Sequence, residues 1–285
     1  MARRPKHYHS KNQETFPPMT HIRVFVPDTH GNHIDLRAAA AFFRDLRMLA
    51  PDEIVLLGDH LDCGGTFSAH QRSYTNEFTD SYKSDTRAAN AFLDELLDTA
   101  PSAKVWYLEG NHEAHVERWA SRNFAAQEDA EDLLECFGPE AVLRIAERPR
   151  IRYISRKKTY MGLTIPGTIR LGKCFATHGI SFSKHADEVH LARFGASVVF
   201  GHVHRSMSVV IRTVTSAGHG AWCPGTLAKL QPLYKHTEPT AWTHGYAVQV
   251  VSSGGKFLHF NVPIMSGESL LGTFLGRKLV ASRAR

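Results

Sequence analysis

The sequence predicts a layered α/β protein, and three observations carry that expectation. A strand-like run, a polar loop and an amphipathic helix follow one another repeatedly through the first third of the chain. The second half is dominated by short β-rich runs, which a second sheet packed on the first would accommodate. The predicted strands open into loops carrying Asp, Asn or His, and in open α/β sheets ligands bind outside the carboxyl ends of strands.

Ile22–Val26 is a run of large apolar and β-branched residues broken only by Arg23, which suits a buried, parallel strand. The turn with Asp28 and His30 follows, then a helix from about Ile34 to Leu49 rich in Ala, Leu and Phe. Glu53–Leu57 is the second strand. A polar stretch from Gly64 to Thr75 leads to a helix whose Phe78, Tyr82, Ala89, Leu93 and Leu96 recur at helical spacing. Lys104–Leu108 is the third strand, and one helix is expected from about Ala114 to Phe137. Further strands are expected at Arg150–Ile154, Gly172–Thr177, Val198–Phe200, Met207–Arg212, Tyr246–Val251 and Phe257–Val262.

At 285 residues, with 42% hydrophobic and 22% charged side chains, the chain suits one large domain with a sizeable core. Residues 1–20 read as a flexible basic arm, 21–263 as the domain, and 264–285 as a basic tail. The formal charge of +6 favours phosphate-bearing partners. The 18 histidines supply many potential metal ligands. The four cysteines form no C-x-x-C pair, so they read as free thiols. No apolar run approaches the ~18 residues that a spanning helix needs, so a cytoplasmic protein without a membrane partner is expected.

Five motifs occur in order: Asp28-Thr29-His30, Gly58-Asp59-His60-Leu61-Asp62, Gly110-Asn111-His112-Glu113, His178 within Thr177-His178-Gly179, and Gly201-His202-Val203-His204. Phosphate esters resist attack because their oxygens are anionic. Two cations about 3.5–4 Å apart, held by a shared carboxylate, both neutralise that charge and activate water. Mixed imidazole, carboxylate and amide donors suit Mn, Fe, Zn or Co rather than an all-oxygen cage.

These motifs resemble those of the calcineurin-like metallophosphoesterases. The resemblance spans residues 28–204 and implies a four-layer α/β/β/α sandwich of two sheets flanked by helices. Carried over by position, it implies that Asp28, His30 and His204 hold one metal, Asn111, His178 and His202 the other, and that Asp59 bridges them. His112 would be the general acid, oriented and charged by Asp62. The expected cofactors are two divalent transition-metal ions, Mn foremost, with Fe, Zn, Co or Ni as alternatives.

The protein phosphatases of that superfamily carry an arginine after the second aspartate, where this chain has Cys63. That departure and the basic balance favour a phosphodiesterase or nuclease acting on nucleic acid or nucleotides by in-line attack of metal-activated water. A phosphomonoesterase, including one like a Ser/Thr protein phosphatase, is the alternative, and a non-catalytic binding module a minor one. By the same reasoning, Cys63→Arg should shift preference toward monoesters. The flanks around residues 106–113 and 243–246 look like those of phage and bacterial phosphoesterases.

Other features point elsewhere. The segment Gly167–Cys174 nearly matches a phosphate-binding loop, but Cys174 replaces the required Ser or Thr and leads into a strand. His112-Glu113-Ala114-His115 has the wrong histidine spacing for a zincin. His33, His219 and His244 read as surface or supporting residues. The basic run from Arg144 to Lys158 could track a nucleic-acid backbone or be a solvated face.

Overall fold

The computed structural model describes residues 19–67, 81–212, 214, 218–232, 238–269 and 271. The elements, in order, are β1 (Met19–Val26), α1 (Leu36–Leu49), β2 (Glu53–Leu56), α2 (Tyr82–Thr99), β3 (Lys104–Leu108), α3 (His115–Asn123), α4 (Gln127–Phe137), α5 (Pro139–Val142) and β4 (Ile151–Ile154). The second half adds β5 (Thr168–Leu171), β6 (Cys174–Thr177), α6 (Ala186–Phe194), β7 (Ser197–Phe200), β8 (Ser206–Ile211), β9 (His219–Pro224), β10 (Gly245–Ser252), β11 (Phe257–Met265) and β12 (Glu268–Ser269).

Two mixed sheets result, with strand orders β12-β11-β10-β1-β2-β3-β4 and β5-β6-β7-β9-β8. Strands β1 to β4 are parallel, with β10 running antiparallel against β1. In the second sheet, β7 lies parallel between β6 and β9.

The two-residue period of the strands divides the apolar residues among three cores. Val24, Val26, Ile54 and Leu56 face the helices α1 and α2, where they meet Phe42, Leu46, Phe92 and Leu93. Phe25, Val55 and Leu57 point the other way, into a core between the sheets with Ile169, Ala176 and Val199. Val198 and Phe200 pack against Leu191 of α6 on the far side. Helices, sheet, sheet and helix therefore stack as the expected four-layer α/β/β/α sandwich. Burial on both faces explains why β1, β2 and β7 read as continuous apolar runs.

Several boundaries differ from the sequence reading. The single helix expected from Ala114 to Phe137 is two, because Phe124 and Ala126 adopt extended backbone angles. No Gly or Pro marks that break; the acidic pair Glu128 and Asp129 in the first turn of α4 is its one local sign. The expected strand Gly172–Thr177 is the second arm of a hairpin, in which β5 and β6 pair antiparallel across Gly172 and Lys173. Strand β1 takes Met19 and Thr20 from the predicted arm; residues 1–18 lie outside the described residues. The sheet also runs past Pro263, where the domain was expected to end. There β12 pairs with the end of β11, and Ile264 and Ser269 are buried. Phe78 lies outside the described residues, and α2 begins at Tyr82 on a Ser81 cap.

Candidate metal centre

The five predicted motifs begin at the carboxyl ends of β1, β2, β3, β6 and β7, so their loops meet at one edge of the sandwich. Bringing side chains inward over so short a distance bends the backbone sharply. His30, Asp59, His202 and His204 all sit at left-handed φ, between 51° and 71°. That region is costly for non-glycine residues, and such strain gathers at functional sites. Gly110 supplies the closest approach: a Cβ there would lie 2.0 Å from Asp59 Oδ1.

The donors form three overlapping clusters: Asp28, His30 and His204; His30, Asp59 and His112; and Asp59, His178 and His202. His204 Nε2 lies 3.0 Å from His30 Nε2 and 3.1 Å from Asp28 Oδ2. His178 Nε2 lies 2.9 Å from Asn111 Oδ1 and 3.3 Å from Asp59 Oδ2. Asp59 Oδ2 is also 4.0 Å from His30 Nε2, so its carboxylate touches both groups.

The arrangement suits cations because acceptors face acceptors. His30 Nδ1 donates to Asp62 Oδ1 at 2.8 Å, and His178 Nδ1 donates to the Leu57 carbonyl at 2.8 Å. Each ring thus turns the lone pair of Nε2 inward, toward carboxylate and amide oxygens, the tautomer that ligating histidines adopt. Only positive charge satisfies so many converging acceptors. Burial depresses His178, but Asp59 outweighs it and lifts the imidazole to about 9.

Asp62 braces two rings rather than one. Besides His30, it accepts from His112 Nδ1 at 3.1 Å, and His33 Nε2 lies 3.5 Å from its other oxygen. His112 is further fixed by its backbone N–H, which donates to Asp59 Oδ1 at 2.8 Å. Burial pulls His112 down, yet Asp59 and Asp62 outweigh it and raise the ring to about 10. Of the other two histidines read as supporting residues, His244 contacts the Ala228 carbonyl and His219 opens β9.

Two supports escaped the sequence reading. Glu113, buried completely, accepts the backbone N–H groups of Asp59, His60, Leu61 and Gly110 and the hydroxyl of Tyr107, all within 3.1 Å. Burial, then the Asp59 carboxylate, push Glu113 up to about 7. It lies inside the Gly-Asn-His-Glu motif, and that adjacency was its only sequence signal. Asp85 on α2 accepts from the N–H groups of Asp62 and Cys63 at 3.1 and 2.8 Å. It belongs to no motif, and nothing local announces it. Cys63 itself is fully buried in the core beneath α1 and α2.

The basic run from Arg144 to Lys158 is divided rather than continuous. Arg148 binds Asn90 and Asp94, while Arg150 donates to the carbonyls of Leu97 and Ala100 at the end of α2. Arg152 lies over the Trp106 ring and Lys157 pairs with Glu117. Most of these cations therefore brace the fold.

The sequence pattern of the calcineurin-like phosphoesterases matches residues 23–206, well over half of the chain. The chain belongs to the calcineurin-like phosphoesterase family. The family, whose members are generally hydrolases, binds a dinuclear metal centre, and the matched span takes in all five motif loops. No curated protein sequence matches the chain. Among solved structures it is similar to Vps29 of Cryptosporidium parvum, at 11% identity and a TM-score of 0.42 over 89% of this chain and 95% of that one. A Vps29 single mutant of Entamoeba histolytica gives 9% and 0.38 over 87% and 95%. The phosphoesterase YfcE of E. coli gives 15% and 0.37 over 84% and 98%. Among the described residues, no helix is long and apolar enough to cross a membrane.

Proposed function

We propose that this calcineurin-like phosphoesterase is a dinuclear-metal phosphodiesterase acting on nucleic acid or nucleotides. The observation that carries the catalytic reading is the convergence of His30, His178 and His204 Nε2 on the oxygens of Asp28, Asp59 and Asn111. Asp28, His30 and His204 would hold one ion, Asn111, His178 and His202 the other, and Asp59, which reaches both groups, would bridge them. Two divalent ions there would neutralise phosphate charge and make water nucleophilic near neutral pH. The mixed donor set favours transition metals, and we take Mn as the first to test.

The protein's own groups would do the rest. Asp62 holds the His112 ring by Nδ1, and the His112 backbone is tied to Asp59, so the ring stands beside the bridge as proton donor to the leaving oxygen. Glu113 and Asp85 fix the loop from Asp59 to Cys63 by its backbone, keeping the carboxylates in place through a turnover. The diester preference is supported by position 63. The residue after Asp62 points into the core, so no cation from that position grips a dianionic monoester.

A metal-by-substrate panel tests the proposal. It would compare 4-nitrophenyl phosphate, bis(4-nitrophenyl) phosphate, cyclic nucleotides, and single- and double-stranded DNA and RNA. Diesters should be cleaved at least as well as monoesters. A hundredfold preference for 4-nitrophenyl phosphate across several metals would replace this reading with a phosphomonoesterase.

A further inference from the structure

Two aromatic rings wall the centre. Trp242 packs edge-to-face against His204 at 4.2 Å between centroids and is half-buried. Phe182 stands edge-to-face against His202 at 5.9 Å, yet it is 81% exposed. Leaving a phenylalanine open forgoes most of what its burial would contribute. A planar group laid on it would recover part of that.

The loop that presents Phe182 is anchored. It joins β6 to α6, four residues after His178, and its Ile180 N–H donates to His190 Nε2 at 2.9 Å. His190 is buried, donates through Nδ1 to the Ala186 carbonyl and stacks on Phe200 at 3.8 Å. On the other side, Arg205 donates to the Lys184 carbonyl at 3.0 Å. The ring is therefore held against the centre by contacts at both ends of its loop.

At the opposite end of the same donor group lies positive charge. Phe182 touches His202, His202 packs on His178 at 5.0 Å, and His178 meets Asn111. The Asn111 carbonyl accepts from Arg118 Nη2 at 2.5 Å. Arg118 is exposed, and Arg122, also exposed, follows it one turn later on α3, so two guanidiniums share this corner. An exposed ring and a guanidinium pair flanking one catalytic group match the alternation of planar base and anionic phosphate along a nucleic-acid strand. A peptide ester would need no such alternation.

We propose that Phe182 is a specificity-determining platform on which a nucleobase beside the scissile phosphate stacks, with the Arg118 corner receiving the adjoining backbone phosphate of a single strand. This inference rests on the phosphodiesterase reading above. The test uses two diesters with one leaving group, thymidine 5′-(4-nitrophenyl phosphate) and methyl 4-nitrophenyl phosphate, on the metal-loaded protein. Base stacking is worth about 1–3 kcal/mol, so Phe182→Ala should lower kcat/KM for the thymidine ester by about 5- to 150-fold. The methyl ester should change less than twofold, and Phe182→Trp should restore the thymidine ester. Equal losses on both esters would mean that the ring only steadies His202, and no loss on either would mean that nothing stacks there; both overturn the inference alone. A wild type that cleaves 4-nitrophenyl phosphate but neither diester would overturn the phosphodiesterase reading and this inference together.

Discussion

Glu113 offers the sharpest check on how the centre is held. Its Oε2 accepts from Asp59 N at 3.0 Å and Gly110 N at 2.9 Å, while Oε1 takes His60 N, Leu61 N and the Tyr107 hydroxyl. Glu113→Gln keeps the shape but turns one acceptor into a donor. With the amide nitrogen in the Oε2 position, which disturbs the fewer bonds, two buried N–H groups lose their partner. Each costs about 1–3 kcal/mol, so the variant should lose roughly 2–6 kcal/mol and melt on the order of 5–20 °C lower. One of those N–H groups belongs to Asp59, so metal affinity should fall by ~10- to 100-fold, as when other outer partners of metal ligands are lost. Thermal melts with and without Mn, together with equilibrium dialysis and elemental analysis, read both effects. A Gln variant that melts within about 1 °C of wild type and binds metal within twofold would refute the bracing argument. Glu113→Ala is the less useful change, because orphaning all four N–H groups approaches the ~5–15 kcal/mol total stability of a typical fold.

Three further outcomes follow from the same geometry. Asp59→Asn should nearly abolish turnover, because one substitution weakens both donor groups; a variant with two metals bound and activity within a few-fold of wild type would sink the bridging role. His112→Ala should keep its metal and lose ~10²- to 10⁴-fold in kcat, with a smaller loss on nitrophenyl esters, whose leaving group hardly needs a proton; loss of metal as heavy as in His202→Ala would make His112 a ligand instead. Cys63→Arg, which the sequence alone suggested as a switch toward monoesters, should instead yield little folded protein, since it forces a long charged side chain into the fully buried, packed place of a cysteine beneath α1 and α2. Recovery of a soluble Cys63→Arg variant with raised monoesterase activity would show that this side chain can reach the site.

The sequence by itself picked out the residues whose side chains converge, their order and their position at strand ends. It could do so because each donor lies within a few residues of a strand whose apolar run is local, and because Gly-Asp and Gly-Asn-His-Glu combine a sharp turn with ligands in four residues or fewer. A second sheet packed on the first was legible from the β-rich second half, and the four layers followed from the resemblance that the motifs carry. Tertiary structure alone decided what holds the donors still. Asp85 reaches the backbone of Asp62 from 23 residues away, and Glu113 reaches that of Asp59 from 54, separations that no local period encodes. The dual role of Asp62 emerged only when β1, β2 and β3 brought His30 and His112 together on its Oδ1. The exposed ring of Phe182 and the diverted arginines of the basic run were settled in the same way. A phenylalanine in a serine-rich loop and an arginine before a strand look alike in sequence whether they face solvent or a neighbour. Packing chose between those outcomes, because the energy of each depends on surfaces that meet only after the sheets have closed on one another.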